Sequence, residues 1–347
     1  MQNSLKNKDI SIAGSGVAGL VSALMLKKKG FNPVLYEKSS QCGYNRHGDF
    51  EGLESWNLNS DPISYLNSLG IKSTFRYRSF SSFDVHIPGK KSINIDSPEP
   101  FFYIVSRGDQ MGDLDYELQR QVQDKNIKIH FNTKIDKDNA DIIATGSKNI
   151  KAYIRGAIFD TELKDQIHLI LGNAIAPYGY GYVIIVDGRC TIAVAYKQKE
   201  KKCKDIFKKL RQFVNDKIGI EIENYKEFAS YGSFNFQNSK IDSDGRMYIG
   251  EAGGFQDYLF GFGIQYAVES AVLSAESYQK NISFDRLWKR KLRSYMKVAY
   301  RNRMFFESLN DHFFYKACQI LSRSDNPVDL LRNRSKPGIL DKVLNFI

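Results

Sequence analysis

Three glycines and one acid carry the clearest chemistry in the 347-residue chain. Gly14, Gly16 and Gly19 stand in a Gly-Ser-Gly-Val-Ala-Gly run, and Glu37 follows roughly 20 residues on. Gly14 permits a tight turn, Gly16 lets a pyrophosphate approach the backbone, and Gly19 lets the next helix lie close to its strand. A helix starting there offers free N–H groups and about half a positive charge to an anion. Glu37 can accept hydrogen bonds from a ribose 2′-hydroxyl, and its carboxylate would repel a 2′-phosphate. The ligand expected is therefore FAD or NAD, not NADP.

The elements around these residues have the right order. Residues 9–13 read as a buried strand, 20–26 as a helix stopped by Gly30, and 32–37 as the next strand, ending in the acid. Residues 127–131 alternate like another strand. Residues 140–146 form an apolar run closing on Thr145-Gly146, expected to add a third layer against the cofactor. Residues 246–255 read as a strand ending in Glu251 and glycines, and 259–264 open a helix expected over 265–278. Its N-terminus could stabilise a negatively charged reduced flavin.

This set resembles the FAD signatures of two-domain flavoproteins of the p-hydroxybenzoate hydroxylase type. The resemblance implies that Glu251 holds the ribityl chain and that Gly261 and Gly263 sit beside the flavin ring. The usual acid is Asp in Gly-Asp-Ala, whereas this chain has Gly250-Glu251-Ala252, one methylene longer. The implied FAD-binding residues are Gly14, Gly16, Val17, Ala18, Gly19, Glu37 and Lys38 in the first unit. Arg107, Ile135 and Gly146 follow, then Glu251, Gly261, Gly263 and Ile264.

Within that group the chain resembles the geranylgeranyl reductase family. Residues 107–115, Arg-Gly-Asp-Gln-Met-Gly-Asp-Leu-Asp, look like the family's arginine and Leu-Asp helix start. Residues 177–184 resemble its P-x-x-Y-x-W-x-F strand, with Tyr182 for the Trp and Ile184 for the Phe. The late glycines match in spacing, and the likeness covers the chain to about residue 280. Flavin-dependent halogenases carry a strand related to the tyrosine strand. Family members often place a cysteine in an R-C-G stretch near the flavin. Here Arg46-His47-Gly48 puts His47 at that place, and Cys42 lies five residues earlier. The proton-donor candidates are His47, Cys42 and Tyr180, in that order, since histidine side chains titrate near neutrality. The plainer readings are a loop imidazole for His47 and a small loop residue for Cys42.

The middle of the chain reads as a substrate-binding sheet over the cofactor. Residues 79–95 suggest a hairpin turning at 88–91, and 154–171 and 178–196 add strands with Asp187-Gly188 as a turn. Tyr178, Tyr180 and Tyr182 share one face by period two. They are either core or, with Phe262, the apolar wall of a site for a long substrate. Residues 200–217 read as an amphipathic helix with lysines on its outer face. Residues 287–306 read as one basic amphipathic helix, followed by helix over 312–321 and a tail ending Phe346-Ile347. That helix is either a cap on the fold or a surface for anionic lipid.

The fold class expected is α/β: a three-layer Rossmann-type FAD-binding domain, a β-sheet substrate-binding domain and a C-terminal helical segment. Their ranges are 1–75, 100–150 and 240–282 for the first, 76–99 and 151–239 for the second, and 283–347 for the third. With 42% hydrophobic and 26% charged residues the composition is that of a folded, soluble chain. No run of about 18 apolar residues occurs, and the first nine residues do not read as a secretory signal. Cys42, Cys190, Cys203 and Cys318 are scattered, which argues against cysteine-held metal and for a reducing, cytoplasmic setting. The net charge of +11 suits an anionic partner, and no nucleic-acid module accompanies it. The resemblance implies an FAD-dependent reductase of isoprenoid C=C bonds, working in the cytoplasm or peripherally on a membrane. The alternatives are an O2-using monooxygenase or halogenase and a non-catalytic or electron-relay flavoprotein. No second Gly-x-Gly-x-x-Gly follows the first, so NAD(P)H would dock transiently or another reductant would serve.

Overall fold

The computed structural model describes residues 9–58, 61–146, 152–197, 203–232, 240–241 and 244–338. A five-stranded parallel sheet runs in the order Met247–Tyr248, Ile142–Ile143, Asp9–Ala13, Asn32–Tyr36, Lys128–His130. Parallel strands covered on both faces need apolar residues in succession. Ile10, Ile12, Val34, Leu35, Ile142 and Ile143 supply them, all buried. The segment near Gly146 thus joins this sheet beside the first strand rather than building a separate layer. The helix Val17–Lys28 is buried along Val17–Leu26 because the sheet and the helix Ile264–Lys280 cover it from different sides. Ser22 and Ser274 meet between the two helices, Oγ to Oγ 2.9 Å.

A three-stranded antiparallel sheet, with Phe102–Ser106 between Phe50–Glu54 and Tyr77–Phe80, lies next in the chain. The 79–95 run therefore divides. Its first residues belong to this sheet, and only Ser82–His86 and Ile93–Asp96 form the expected hairpin. That hairpin ends a seven-stranded sheet ordered Lys226–Gly232, Ala152–Asp160, Arg189–Tyr196, Tyr180–Val186, Gln166–Ile170, Ser82–His86, Ile93–Asp96. The Asp187-Gly188 turn has φ of 48° and 78°, the conformation a two-residue hairpin requires. The helix Cys203–Ile218 packs Ile206, Phe207, Leu210 and Val214 on the back of this sheet; residues 200–202 lie outside the described residues.

The single basic helix expected over 287–306 is two helices, Phe284–Lys291 and Arg293–Ser308, broken at Leu292. The break lets Trp288, fully buried against Phe255, enter the core while the second helix turns across the molecule. Asp311–Ser322 and Pro327–Ser335 follow, capped by Asn310 and Asn326. The tail at 346–347 lies outside the described residues. Among the described residues no helix is long and apolar enough to cross a membrane.

Candidate cofactor and substrate site

One cavity of about 1940 Å³ runs between the sheets. Ligand pockets usually hold about 300–1,000 Å³, so this one has room for a dinucleotide and a second long ligand. It divides into two arms.

The first arm begins at the glycine loop. Gly14 has φ +95°, and a Cβ there would lie 2.6 Å from the Ala144 carbonyl oxygen. A Cβ on Gly19 would enter the Gly14 carbonyl oxygen, so this glycine lets the helix close on the loop rather than on the strand itself. A Cβ on Gly16 would meet nothing within 4 Å, because its backbone faces the cavity. Gly16 caps the helix Val17–Lys28 without a side-chain hydrogen bond, and no acid stands in the first turn. The N-terminal amides are thus open to an anion. Glu37 sits at the end of its strand. Its Oε2 accepts from Ser15 N (3.0 Å) and Ser15 Oγ (2.8 Å), and Oε1 from Ser39 N (2.9 Å). Val17, Ala18, Lys38, Ile135 and Gly146 line the same arm.

Where the arms meet lies a buried cluster of charges. Arg107 grips Asp115 with Nε to Oδ2 at 2.7 Å and Nη2 to Oδ1 at 2.9 Å, and also donates to Glu51. Glu51 Oε1 accepts from Arg46 at 2.7 Å. Burial pushes Glu51 and Asp115 up, but the guanidiniums of Arg107 and Arg46 outweigh it and hold both carboxyls below their ordinary range. Arg107 lines the cavity with its fork already occupied, so it shapes the site through Asp115 and Glu51. Arg46, Asp49 and Glu51 were not among the residues singled out from sequence. Of these only Glu51 has a signal in the sequence, the run Phe50-Glu51-Gly52-Leu53-Glu54, two acids around a glycine in a short strand.

The late glycine loop closes the cluster. Gly250–Gly253 forms a single 3₁₀ turn, and the helix Ile264–Lys280 starts at Gly263 without a side-chain cap. The Glu251 carboxylate lines the cavity, with Oε1 4.0 Å from the place of a Gly263 Cβ. Burial raises its pKa. A desolvated carboxylate beside an uncapped helix start suits a polyhydroxyl chain leading to a ring. Gly261 and Ile264 also line this stretch. Two uncapped helix starts, an open Gly16 and a half-buried Glu251 on the cavity fit a dinucleotide such as FAD.

The second arm is apolar. Trp56 meets Phe102 and Phe262 edge-on, at 5.1 and 5.7 Å between ring centres. A Cβ on Gly52 would lie 3.0 Å from the Phe262 ring, so this glycine admits the phenylalanine. Tyr180 and Tyr182 form the facing wall. Beyond them Phe83, Val85, Ile167, Leu169 and Ile184 lead towards Phe306, Phe314 and Leu321 of the C-terminal helices. Arg303 ties the helix Arg293–Ser308 to this arm by donating to the Leu259 and Tyr178 carbonyls. Arg332 ties the last helix to Glu99 (2.7 Å) and to the Ser55 carbonyl (3.3 Å).

Two expectations change, one for this wall and one for the proton donors. Tyr178 is outside the strand, in a turn with φ +52°, half exposed and off the cavity. The strand begins only at Tyr180, after Gly179 packs against the Ala195 carbonyl. Cys42 is 1% exposed, with its thiol on Ser15 Oγ at 3.0 Å, behind the glycine loop. It does not line the cavity, and burial pushes its thiol up to about 12, so it does not give up a proton readily. Tyr180 donates its hydroxyl to the Phe260 carbonyl, and burial raises its pKa well above the ordinary value. His47 is exposed to the cavity, its ring 6.0 Å from that of Phe228. Among the described residues no group of His, Cys, Asp and Glu could hold a metal ion.

No protein-family model matches the chain. The solved structure of a geranylgeranyl bacteriochlorophyll reductase-like protein from Thermoplasma acidophilum superposes with a TM-score of 0.72 at 17% identity. It covers 97% of this chain and 95% of that one. The chain has the fold of the FAD-dependent flavoproteins. The same flavoprotein fold is seen in CtdE in complex with FAD and substrate (TM-score 0.60, 16% identity, 94% and 97% covered) and in CmlS, a flavin-dependent halogenase (0.56, 18%, 97% and 69%). In sequence, an uncharacterized protein of Methanosarcina barkeri is 24% identical over 337 residues, 87% of this chain and 84% of that one. The digeranylgeranylglycerophospholipid reductase of Methanocaldococcus jannaschii is 23% identical over 184 residues, under half of either chain.

Proposed function

We propose that the chain binds FAD in the first arm and reduces C=C bonds of a long apolar isoprenoid, free or carried on a lipid, in the second. The observation that carries this reading is the apolar arm, which opens from the flavoprotein nucleotide arm and runs to the C-terminal helices. The reductase neighbours in structure and sequence support it. The amides at Gly16 and Val17 would hold the pyrophosphate, Glu37 a ribose, and Glu251 the ribityl hydroxyls. FAD, once reduced by NAD(P)H or another reductant, supplies a hydride.

The remaining work falls to the chain's own residues. Trp56, Phe102 and Phe262 exclude water and hold an alkene against the junction. Tyr180 and Tyr182 wall it from the other side. His47, the donor candidate with an open face on the cavity, delivers a proton to the second carbon. Tyr180, tied to Phe260, positions rather than protonates.

The test is anaerobic. The FAD-loaded protein is reduced and mixed in turn with a long polyprenyl lipid, a small polar aromatic and O2. The expected result is reoxidation by the polyprenyl lipid, with one C=C bond lost per two electrons. Reoxidation only when O2 is added, with the lipid or the aromatic present returned oxygenated, or halogenated where halide is supplied, would replace this reading with the monooxygenase or halogenase one.

A further inference from the structure

The apolar arm reaches the surface through residues that are unusual for a surface. Phe305 and Ile320 line its mouth and are nevertheless 67% and 64% exposed. Phe306 and Phe314 are buried with ring centres 4.9 Å apart, and their chain neighbours Phe305 and Phe313 are exposed on the same two helices. Met304 and Phe313 extend the patch, both more than half exposed. Among the described residues, the large exposed Phe and Ile side chains are these three: Phe305, Phe313 and Ile320. Scattered exposed apolar residues need no explanation, but a cluster at the rim of an apolar tunnel does.

The charge around the patch selects the partner. Residues 283–338 hold thirteen Lys and Arg against five Asp and Glu, a surplus of eight within a chain of +11. Arg301 stands one turn from Phe305, Lys316 lies between Phe313 and Ile320, and Arg334 lines the mouth; all three are exposed. Lys90, on the hairpin turn, lies over the ring of Tyr315. Three of the nearby acids are paired within the fold, Glu307 with Lys197 and Arg303, and Glu99 and Asp329 with Arg332, and Asp311 accepts from Asn173 N at 3.3 Å.

We infer that this face docks on an anionic phospholipid bilayer, with Met304, Phe305, Phe313 and Ile320 entering the acyl boundary and the basic ring resting on the headgroups. An apolar tip inside a cationic ring is the composition that binds such an interface. The tunnel mouth then opens into hydrocarbon, and an apolar ligand passes in without crossing water. Docking stands on the surface alone; the loading of a substrate rests on the proposed function.

The test is co-sedimentation of the full chain with vesicles of phosphatidylcholine, with or without about a third phosphatidylglycerol. Binding is expected to the anionic vesicles, weakened several-fold by raising salt from about 0.1 to 1 M. Met304→Ser with Phe313→Ser, both off the cavity, should lower the partition coefficient about tenfold or more. Arg301→Glu with Lys316→Glu should lower it as far while leaving visible flavin content and the circular dichroism spectrum unchanged. No binding by the wild-type chain, or equal binding by both double variants, would overturn the inference. So would a dimer in sedimentation that these substitutions dissolve without any vesicle binding, which would assign the face to a second copy. None of these readouts needs turnover, so failure here leaves the reductase reading to its own test.

Discussion

The two arms of the cavity are built by opposite strategies. The nucleotide arm is made of backbone: a turn at Gly14, open amides at Gly16 and a close approach at Gly19, all within one strand–loop–helix unit. The apolar arm is made of side chains brought from distant segments, with Trp56, Phe102, Tyr180, Phe262 and Phe306 each on a different element. At Gly14 and Gly19 the backbone site has no room for an added atom, whereas a side-chain site changes volume and keeps its frame. The comparison can be broken or sharpened by substitution.

The largest effect should come from the glycines, and it should differ between neighbours. Gly19→Val drives a side chain into the Gly14 carbonyl, so no folded protein is expected by circular dichroism. Gly16→Val meets open space and should fold with an unchanged melting temperature, yet lose FAD affinity by about a hundredfold or more, read by titration of visible absorbance. Normal FAD binding in Gly16→Val would remove the pyrophosphate from this loop.

Next comes Trp56→Ala in the apolar arm. Removing a buried indole costs about 3–5 kcal/mol in denaturant unfolding. FAD stoichiometry should stay at the wild-type value while turnover of a long substrate falls. Loss of FAD together with stability would mean that the arms are not separable.

His47→Ala should slow single-turnover reduction of substrate by about 10²–10⁴, with Tyr180→Phe losing less. Wild-type rates in both would show that the proton comes from elsewhere.

The smallest effect concerns Glu54, fully buried beside Asn57. Burial, with the nearby Asp257 charge, raises its pKa to about 8. The folded state therefore keeps a proton that the unfolded chain has lost. That contribution is complete below about pH 4.5 and fades as pH rises towards 8. Glu54→Gln should raise the melting temperature at pH 8.5 by roughly 3 °C relative to wild type and change it little at pH 4.5. An equal change at both values would contradict the raised pKa.

The same contrast explains what could be read from the chain. The glycine loop, Glu37 and the late Gly-Glu-Ala run are legible because backbone geometry restricts them to few residue types. The helix Cys203–Ile218 and the Asp187-Gly188 hairpin follow from local periodicity and turn chemistry. Trp56 and Gly52 carry no such mark: the Gly52–Phe262 contact joins two segments more than 200 residues apart. Tyr178 misled because period two continues through Gly179, while the chain leaves the strand there to pack on Ala195. The break at Leu292 is equally silent, since Trp288 and Met296 keep helical spacing across it and only the core position of Trp288 separates the two helices.

The central claim is that the two arms form one site. An anaerobic titration of the FAD-loaded protein with a long polyprenyl lipid, followed through the visible flavin spectrum, tests it most directly. The account predicts a saturable spectral change whose affinity rises with isoprenoid chain length and falls in Trp56→Ala. A spectrum indifferent to polyprenyl lipids of every length, yet shifted by a small polar aromatic, would contradict it.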